Sequence, residues 1–173
     1  LKRGDAAPAY RRAVIDLDRV LAREPRNGDA LSQRGTAWLG LARIEAAAGR
    51  DPADARKRAE ADLRASIEAG VTASRAGLAA LLAESGRLEE AIAAWAEFAR
   101  GSPAQADWAH EREAETRLAR AKVLAGEGRA DEAFVQLEAA ADLAPGALRG
   151  LESDPAFGAL RDDPRWRERV KDE

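Results

Sequence analysis

Acid–base chemistry needs a histidine or paired carboxylates with displaced pKa values, and this 173-residue chain offers little of either. Its single histidine, His110, stands among Glu111, Arg112 and Glu113 at a polar helix start, the setting of a solvated surface residue rather than of a general base. The adjacent acids Glu89-Glu90 and Asp162-Asp163 each lie beside a helix start. There a carboxylate meets the positive end of the helix dipole, so both pairs are read as helix-stabilising. Neither has a glycine-rich or aromatic pocket signature nearby. With no cysteine and one histidine, zinc would have to rely on carboxylates, and thiolate chemistry and disulfides are excluded. Gly126-Glu127-Gly128 lacks the residues that complete a phosphate-binding loop and reads as a turn between helices. The sequence predicts no catalytic residue, no metal site and no cofactor, and the chain is not read as an enzyme.

Any surface of interest must then be positioned by helices. The chain is 46% hydrophobic and 34% charged, enough apolar material for a core in one soluble domain. The apolar share is mostly Ala with Leu and only 5% of residues are aromatic, whereas strands favour Val, Ile, Thr and aromatics. An all-α chain packed through small side chains is expected. The 28 basic and 31 acidic residues are interspersed and leave a formal net charge of -3. No basic stripe exists to neutralise a phosphate backbone, so nucleic acid and anionic membranes are not expected as partners. No apolar run approaches the ~20 residues that span a bilayer, and no leader pattern opens the chain, so no membrane insertion is expected. The absence of cysteine suits a reducing compartment, and a cytoplasmic location is expected. The chain opens at Leu1 and holds no methionine, which reads as a segment excised from something longer.

Leu78, Leu81 and Leu82 recur at i, i+3 and i+4, followed by Gly86-Arg87 and then by Ala91, Ile92 and Trp95. That spacing predicts two amphipathic helices around a tight turn. Thr72 and Ser102 are predicted N-caps, with Pro103 at a first helical position where its missing N–H costs nothing. Pro25, Pro103 and Pro145 each close an Ala-rich segment. Set beneath one another, those segments share a second half: Ala13-Val14-Ile15-Asp16-Leu17, Ala91-Ile92-Ala93-Ala94-Trp95 and Ala133-Phe134-Val135-Gln136-Leu137, with Ala59 to Leu63 a weaker copy. The small residue lets two helices approach, and the large one four places later fills the gap beside it. One such pair cannot bury its apolar face alone, so copies must stack.

A helix pair with small-x3-large spacing and a trailing proline resembles the bacterial tetratricopeptide repeat. Gly86-Arg87-Leu88-Glu89-Glu90-Ala91 through Pro103 is the best copy, and Gly128-Arg129-Ala130-Asp131-Glu132-Ala133 through Pro145 is nearly as good. Leu31, Gly35 and Trp38 match the family's large, small and large first-helix positions. The resemblance implies one domain over 1–173, a right-handed α-α superhelix of antiparallel helix pairs. Its expected parts are a half repeat over 1–27, a repeat with a lengthened turn over 28–71, the best copy over 72–105, a repeat with an extended first helix over 106–147, and short capping helices over 148–173. The family period is ~34 residues, but Ala91 and Ala133 lie 42 apart, and Ala46 to Pro52 are extra. Ala104 to Leu124 reads as one long helix with Trp108 on an added turn. The half repeat should expose the Val14, Leu17, Leu21 side, to be covered by upstream helices or by another copy of the chain. At the other end, Asp154-Pro155 and Asp163-Pro164 each start a short helix, with Asp as cap and Pro as first residue. The pattern is similar to a closing motif of some bacterial arrays, which makes Phe157, Leu160 and Trp166 plugs over the last repeat.

By the same resemblance, first helices line a concave groove for an extended peptide or a partner helix. The groove positions here are Ser32, Thr36 and Leu39, then Ala76, Ala80 and Ala83, then Leu118, Lys122 and Ala125. Members that clamp chaperone tails place Lys, Asn and Arg at these points; here only Lys122 fits, which disfavours that ligand. An Ala-lined middle suits an apolar helix or a self-packed groove. Trp38 and Trp95 are expected in the core and Trp166 under the closing helix, whereas Trp108, beside Asp107, matches no repeat position and is a candidate interface residue. The function expected is a protein-interaction scaffold, a regulatory or recruiting segment of a larger bacterial protein such as a signalling kinase. The alternative is a self-assembly element that associates through repeat ends.

Overall fold

Alanine and leucine at helical spacing, broken by Gly, Asx and Pro, fold as the composition requires. In the computed structural model, which describes residues 6–170, every regular element is a helix, and no strand occurs among those residues. Two compact units form, Leu1–Glu84 and Ser85–Glu173. Their boundary falls inside 72–105, the segment assigned from sequence to a single helix pair.

The first unit holds α1 (Ala7–Leu21), α2 (Gly28–Ala47), α3 (Ala53–Glu68) and α4 (Ser74–Glu84). Each packs on its neighbour in the chain, and α2 also meets α4. Asn27 caps α2 by accepting from the Ala30 N–H at 3.0 Å, and Asp51 accepts from the Ala53 N–H at 2.9 Å ahead of α3. The small-residue rule holds at the weaker copy, where Ala59 has no exposed surface, Leu63 is buried beside it and a Cβ on Gly35 would lie 2.9 Å from Leu63 Cγ, whereas Ala13 and Leu17 are only half-buried. The Val14, Leu17, Leu21 side of α1 corrects an expectation, because it is covered within the chain. Val14 clusters with Ala37, Leu41, Ala42 and Ala55, and Leu21 with Ala30 and Leu31, Leu17 lying half-buried against them. The outer side of α1 stays open instead, with Ile15 53% and Val20 40% exposed. Trp38 is likewise only half-buried, its ring lying 4.9 Å beneath the Arg58 guanidinium.

Polar groups tie these helices together. Arg34 of α2 makes a bidentate pair with the buried Asp62 of α3 (2.8 and 2.7 Å) and reaches Asp18 of α1 at 2.6 Å. Its pKa is pushed further up, first by the hydrogen bond to Asp62. Ser66 Oγ donates to the Gly28 carbonyl at 2.8 Å, and Ser74 Oγ lies 2.8 Å from both Ser66 Oγ and Ser32 Oγ.

The second unit holds α5 (Leu88–Gly101), a 3-10 turn (Pro103–Gln105), α6 (Ala106–Gly126), α7 (Ala130–Leu143), two 3-10 turns (Leu151–Ser153, Pro155–Leu160) and α8 (Pro164–Val170). The Ser102 hydroxyl makes no capping bond, so Pro103 alone starts its turn, and α4 begins at Ser74 rather than next to Thr72. Gly128 takes φ 74° to reverse the chain between α6 and α7, a conformation open to glycine without Cβ strain. Ala91 and Ala133 have no exposed surface, with Trp95 and Leu137 buried four residues on. Leucine at Ala133 would overpack that crossing; about 1–3 kcal/mol of lost stability is expected in urea unfolding, and an unchanged midpoint would argue that the crossing is loose.

The C-terminal segment packs on α6 and α7 as one core: Leu148, Leu151, Phe157, Leu160, Trp166 and Val170 join Leu124, Phe134 and Leu137. Both Asp-Pro starts act as read from sequence, Asp154 accepting from the Ala156 N–H and Asp163 from the Arg165 N–H, each at 3.0 Å. The Lys122 ammonium, then the Ala156 N–H, hold the Asp154 carboxyl below its usual range; the Arg165 side chain and then its N–H do the same for Asp163. Depressed folded-state values stabilise above the unfolded pKa of about 4 and lose that contribution as pH falls through the lower folded values. Acid titration is therefore expected to leave the near-UV dichroism of Trp166 intact down to about pH 4 and to loosen it below. Loss already near neutrality would contradict this.

Candidate partner-binding surface

Chemistry at the surface depends on which predicted groove residues remain accessible. On α2, Thr36 is exposed and donates its hydroxyl to the Ser32 carbonyl at 2.9 Å, while the Ser32 hydroxyl belongs to the internal serine chain. Leu39 corrects the prediction: helical phase turns it inward and it is buried, as is Ala125 on α6. Ala76, Ala80 and Ala83 of α4 are half-buried. At the end of that helix Glu84 receives a bidentate pair from Arg43 of α2, with contacts of 2.6, 2.9 and 3.1 Å. The middle of the predicted groove thus joins accessible alanine methyls to a guanidinium–carboxylate clasp.

Beside that clasp a cleft of about 570 Å3 opens between α1 and α2, lined by Tyr10, Gly40, Ile44, Ala47 and Ala48 with Arg43 and Glu84 at its edge. Tyr10 is the chain's one tyrosine. Its ring lies so close to Gly40 that a Cβ there would fall 2.5 Å from Cζ. Gly40→Ala is accordingly expected to push the ring aside and reshape this wall, visible as a changed Tyr10 ring spectrum in NMR; an unchanged spectrum would argue against the close packing.

In the second unit, Leu118 is half-buried on the wall of a cleft of about 440 Å3. Asp107, Glu111 and Glu115 of α6 face the Leu143–Ala147 end of α7 across it. Glu115 is paired to Arg112 at 2.7 Å. Lys122 does not stand free: its ammonium meets Asp154 at 2.8 Å and lies 5.9 Å from the Phe157 ring centre, so the closing segment uses it. Trp108 is 46% exposed, yet it leans edge-on against Trp95 (centroids 5.3 Å) and Phe98 (5.9 Å), which themselves meet at 6.4 Å. It is therefore a half-anchored aromatic, one side in the core and the other in water. Trp95 Nε1 is buried there without a hydrogen-bond partner, as is Arg112 Nε.

Among the described residues no group of three or more His, Asp or Glu is placed to hold a metal ion, and no helix is long and apolar enough to cross a membrane. No family model, curated protein or solved structure matches this chain.

The surfaces must then be judged on their own chemistry. The structure brings Thr36 and the α4 alanines to one unit, separates Leu118 from Lys122 by use, and removes Leu39 and Ala125. Sequence reasoning missed the Tyr10 cleft and the acidic wall of α6. The signals were present: a lone tyrosine seven residues before Leu17, and carboxylates at 107, 111 and 115 along one side of a helix.

Proposed function

We propose that this chain is a protein-interaction scaffold, a tetratricopeptide-like right-handed superhelix of helix pairs. It binds a peptide or partner helix as a regulatory or recruiting segment of a larger bacterial protein in the cytoplasm. Packing of each helix on the next from α1 to α4 and from α5 to α7, and of α2 on α4, supports the repeat reading. The observation that carries the binding reading is the Tyr10 cleft. Its walls are methyl groups, an isoleucine and an aromatic ring, and its charged edge is already neutralised by the Arg43–Glu84 pair. Such a surface rewards an apolar side chain presented by a helix and offers nothing to a charged tail.

A photo-crosslinking amino acid at Ile44, compared with one at the exposed Val135, tests this in cells. A discrete crosslinked partner is expected from position 44 alone, and it should vanish when Ala47→Arg fills the cleft. Equal labelling from both positions, or labelling that survives the arginine, would count against the cleft.

The second reading, self-assembly, is favoured by the outward Ile15 and Val20 of α1, apolar residues with no cover inside the described chain.

A further inference from the structure

Charge is divided unevenly along the chain: residues 1–84 hold 15 Lys and Arg against 12 Asp and Glu, and residues 85–173 hold 13 against 19. The excess of each sign reaches a defined surface. On α1, Arg12, Ile15 and Arg19 follow one another at helical spacing along the side opposite Val14 and Leu21, Arg23 stands in the turn just past the helix, and all four are exposed. Arg19 is partnered by Asp16 at 3.0 Å, but Arg12 and Arg23 enter no ion pair among the described residues. In the second unit the α6–α7 cleft is lined by the apolar Leu118, Leu143 and Pro145, by Asp107 and Glu111, and by Arg112, which Glu115 pairs at 2.7 Å. Asp107 and Glu111 likewise have no ion-pair partner among the described residues, and the carbonyl end of α7 adds partial negative charge beside them.

We propose that the Ile15 stripe of α1 in one copy docks into the α6–α7 cleft of a second copy, isoleucine against the apolar lining and Arg12 and Arg23 against Asp107 and Glu111. This rests on the self-assembly reading and names its two surfaces. Both surfaces combine an apolar centre with unneutralised charge of opposite sign, which favours this pairing and disfavours stripe on stripe or cleft on cleft. The contact is heterologous: each copy offers one stripe and one cleft, so association either closes into a ring or continues into a filament. One 15-residue helix face is a small interface, so the association is weak and salt-sensitive.

Sedimentation of the full chain from about 20 µM to about 500 µM, at low and at about 0.5 M salt, reads this out. The expected result is an average mass that rises with concentration at low salt and falls back toward the monomer at high salt. Two variants, Arg12→Gln/Arg23→Gln and Asp107→Lys/Glu111→Lys, alter exposed side chains only and create no new charge complement between them, and helical dichroism checks that both fold. Each alone should stay monomeric. Mixed one to one, they should form a dimer and nothing larger, because one retains a cleft and the other a stripe. A wild-type chain that stays monomeric throughout overturns both the inference and self-assembly. Association that survives in either variant, or a mixture that stays monomeric or grows past a dimer, overturns this pair of surfaces while self-assembly stands.

Discussion

Arg34→Met is expected to cost about 3 kcal/mol, with the loss centred on α1, α2 and α3, because it strands the carboxylate of Asp62 in the helix interface. Asp62 is 6% exposed and takes both of its charged hydrogen bonds from Arg34. The Asp18 arm of the same guanidinium adds little by itself, since Asp18 is largely in water. Urea unfolding followed by dichroism measures the total, and hydrogen exchange should place the weakened amides in α1 to α3. Arg34→Met combined with Asp62→Leu should regain most of the loss, since a well-packed apolar pair can replace a buried ion pair. If the single and double variants are equally unstable, the cost lies in the lost arginine packing and not in an orphaned charge.

The second large effect is expected at the other end of the chain. Phe157 has no exposed surface, lies 5.5 Å from Trp166 and sits beneath the Lys122 ammonium. Phe157→Ala should cost about 3–5 kcal/mol, as core aromatic deletions do. Trp166 emission should shift toward the red, since the tryptophan loses its neighbour. Trp108→Ala is the control, because 46% of that side chain is already in water. It should cost clearly less, and equal costs would mean that the closing segment is a loose flap.

The all-helical class and the caps of the closing segment were legible in the sequence because they depend on local rules. Alanine four residues before a large side chain marks a helix crossing at Ala59, Ala91 and Ala133, whereas Ala13 and Leu17 are only half-buried. Asp-Pro dictates its own cap geometry, so Asp154 and Asp163 were assigned correctly. Tertiary contacts were less readable. The exposed side of α1 was placed on Val14 and Leu21 because the segment was treated as half a repeat, whereas α2 satisfies that side and leaves Ile15 outward. Leu39 was assigned to the groove from a repeat position, whereas its helical phase places it with the buried Leu31, Gly35 and Ala42 on one face of α2. Ser32 looked free until Ser66 and Ser74, remote in sequence, supplied its partner.

The Lys122–Asp154 pair bears on which ligands the proposed scaffold would accept. Its ammonium already holds Asp154, a carboxylate tethered only a few turns away in the fold, and a tethered group acts at an effective concentration on the order of millimolar. An acidic peptide arriving from solution competes with that internal copy of its own charge, and one of millimolar affinity gains almost nothing there. The closing segment thereby acts as a built-in competitor. In the proposed scaffold role it would bias recognition away from negative tails and toward ligands that ignore Lys122 altogether.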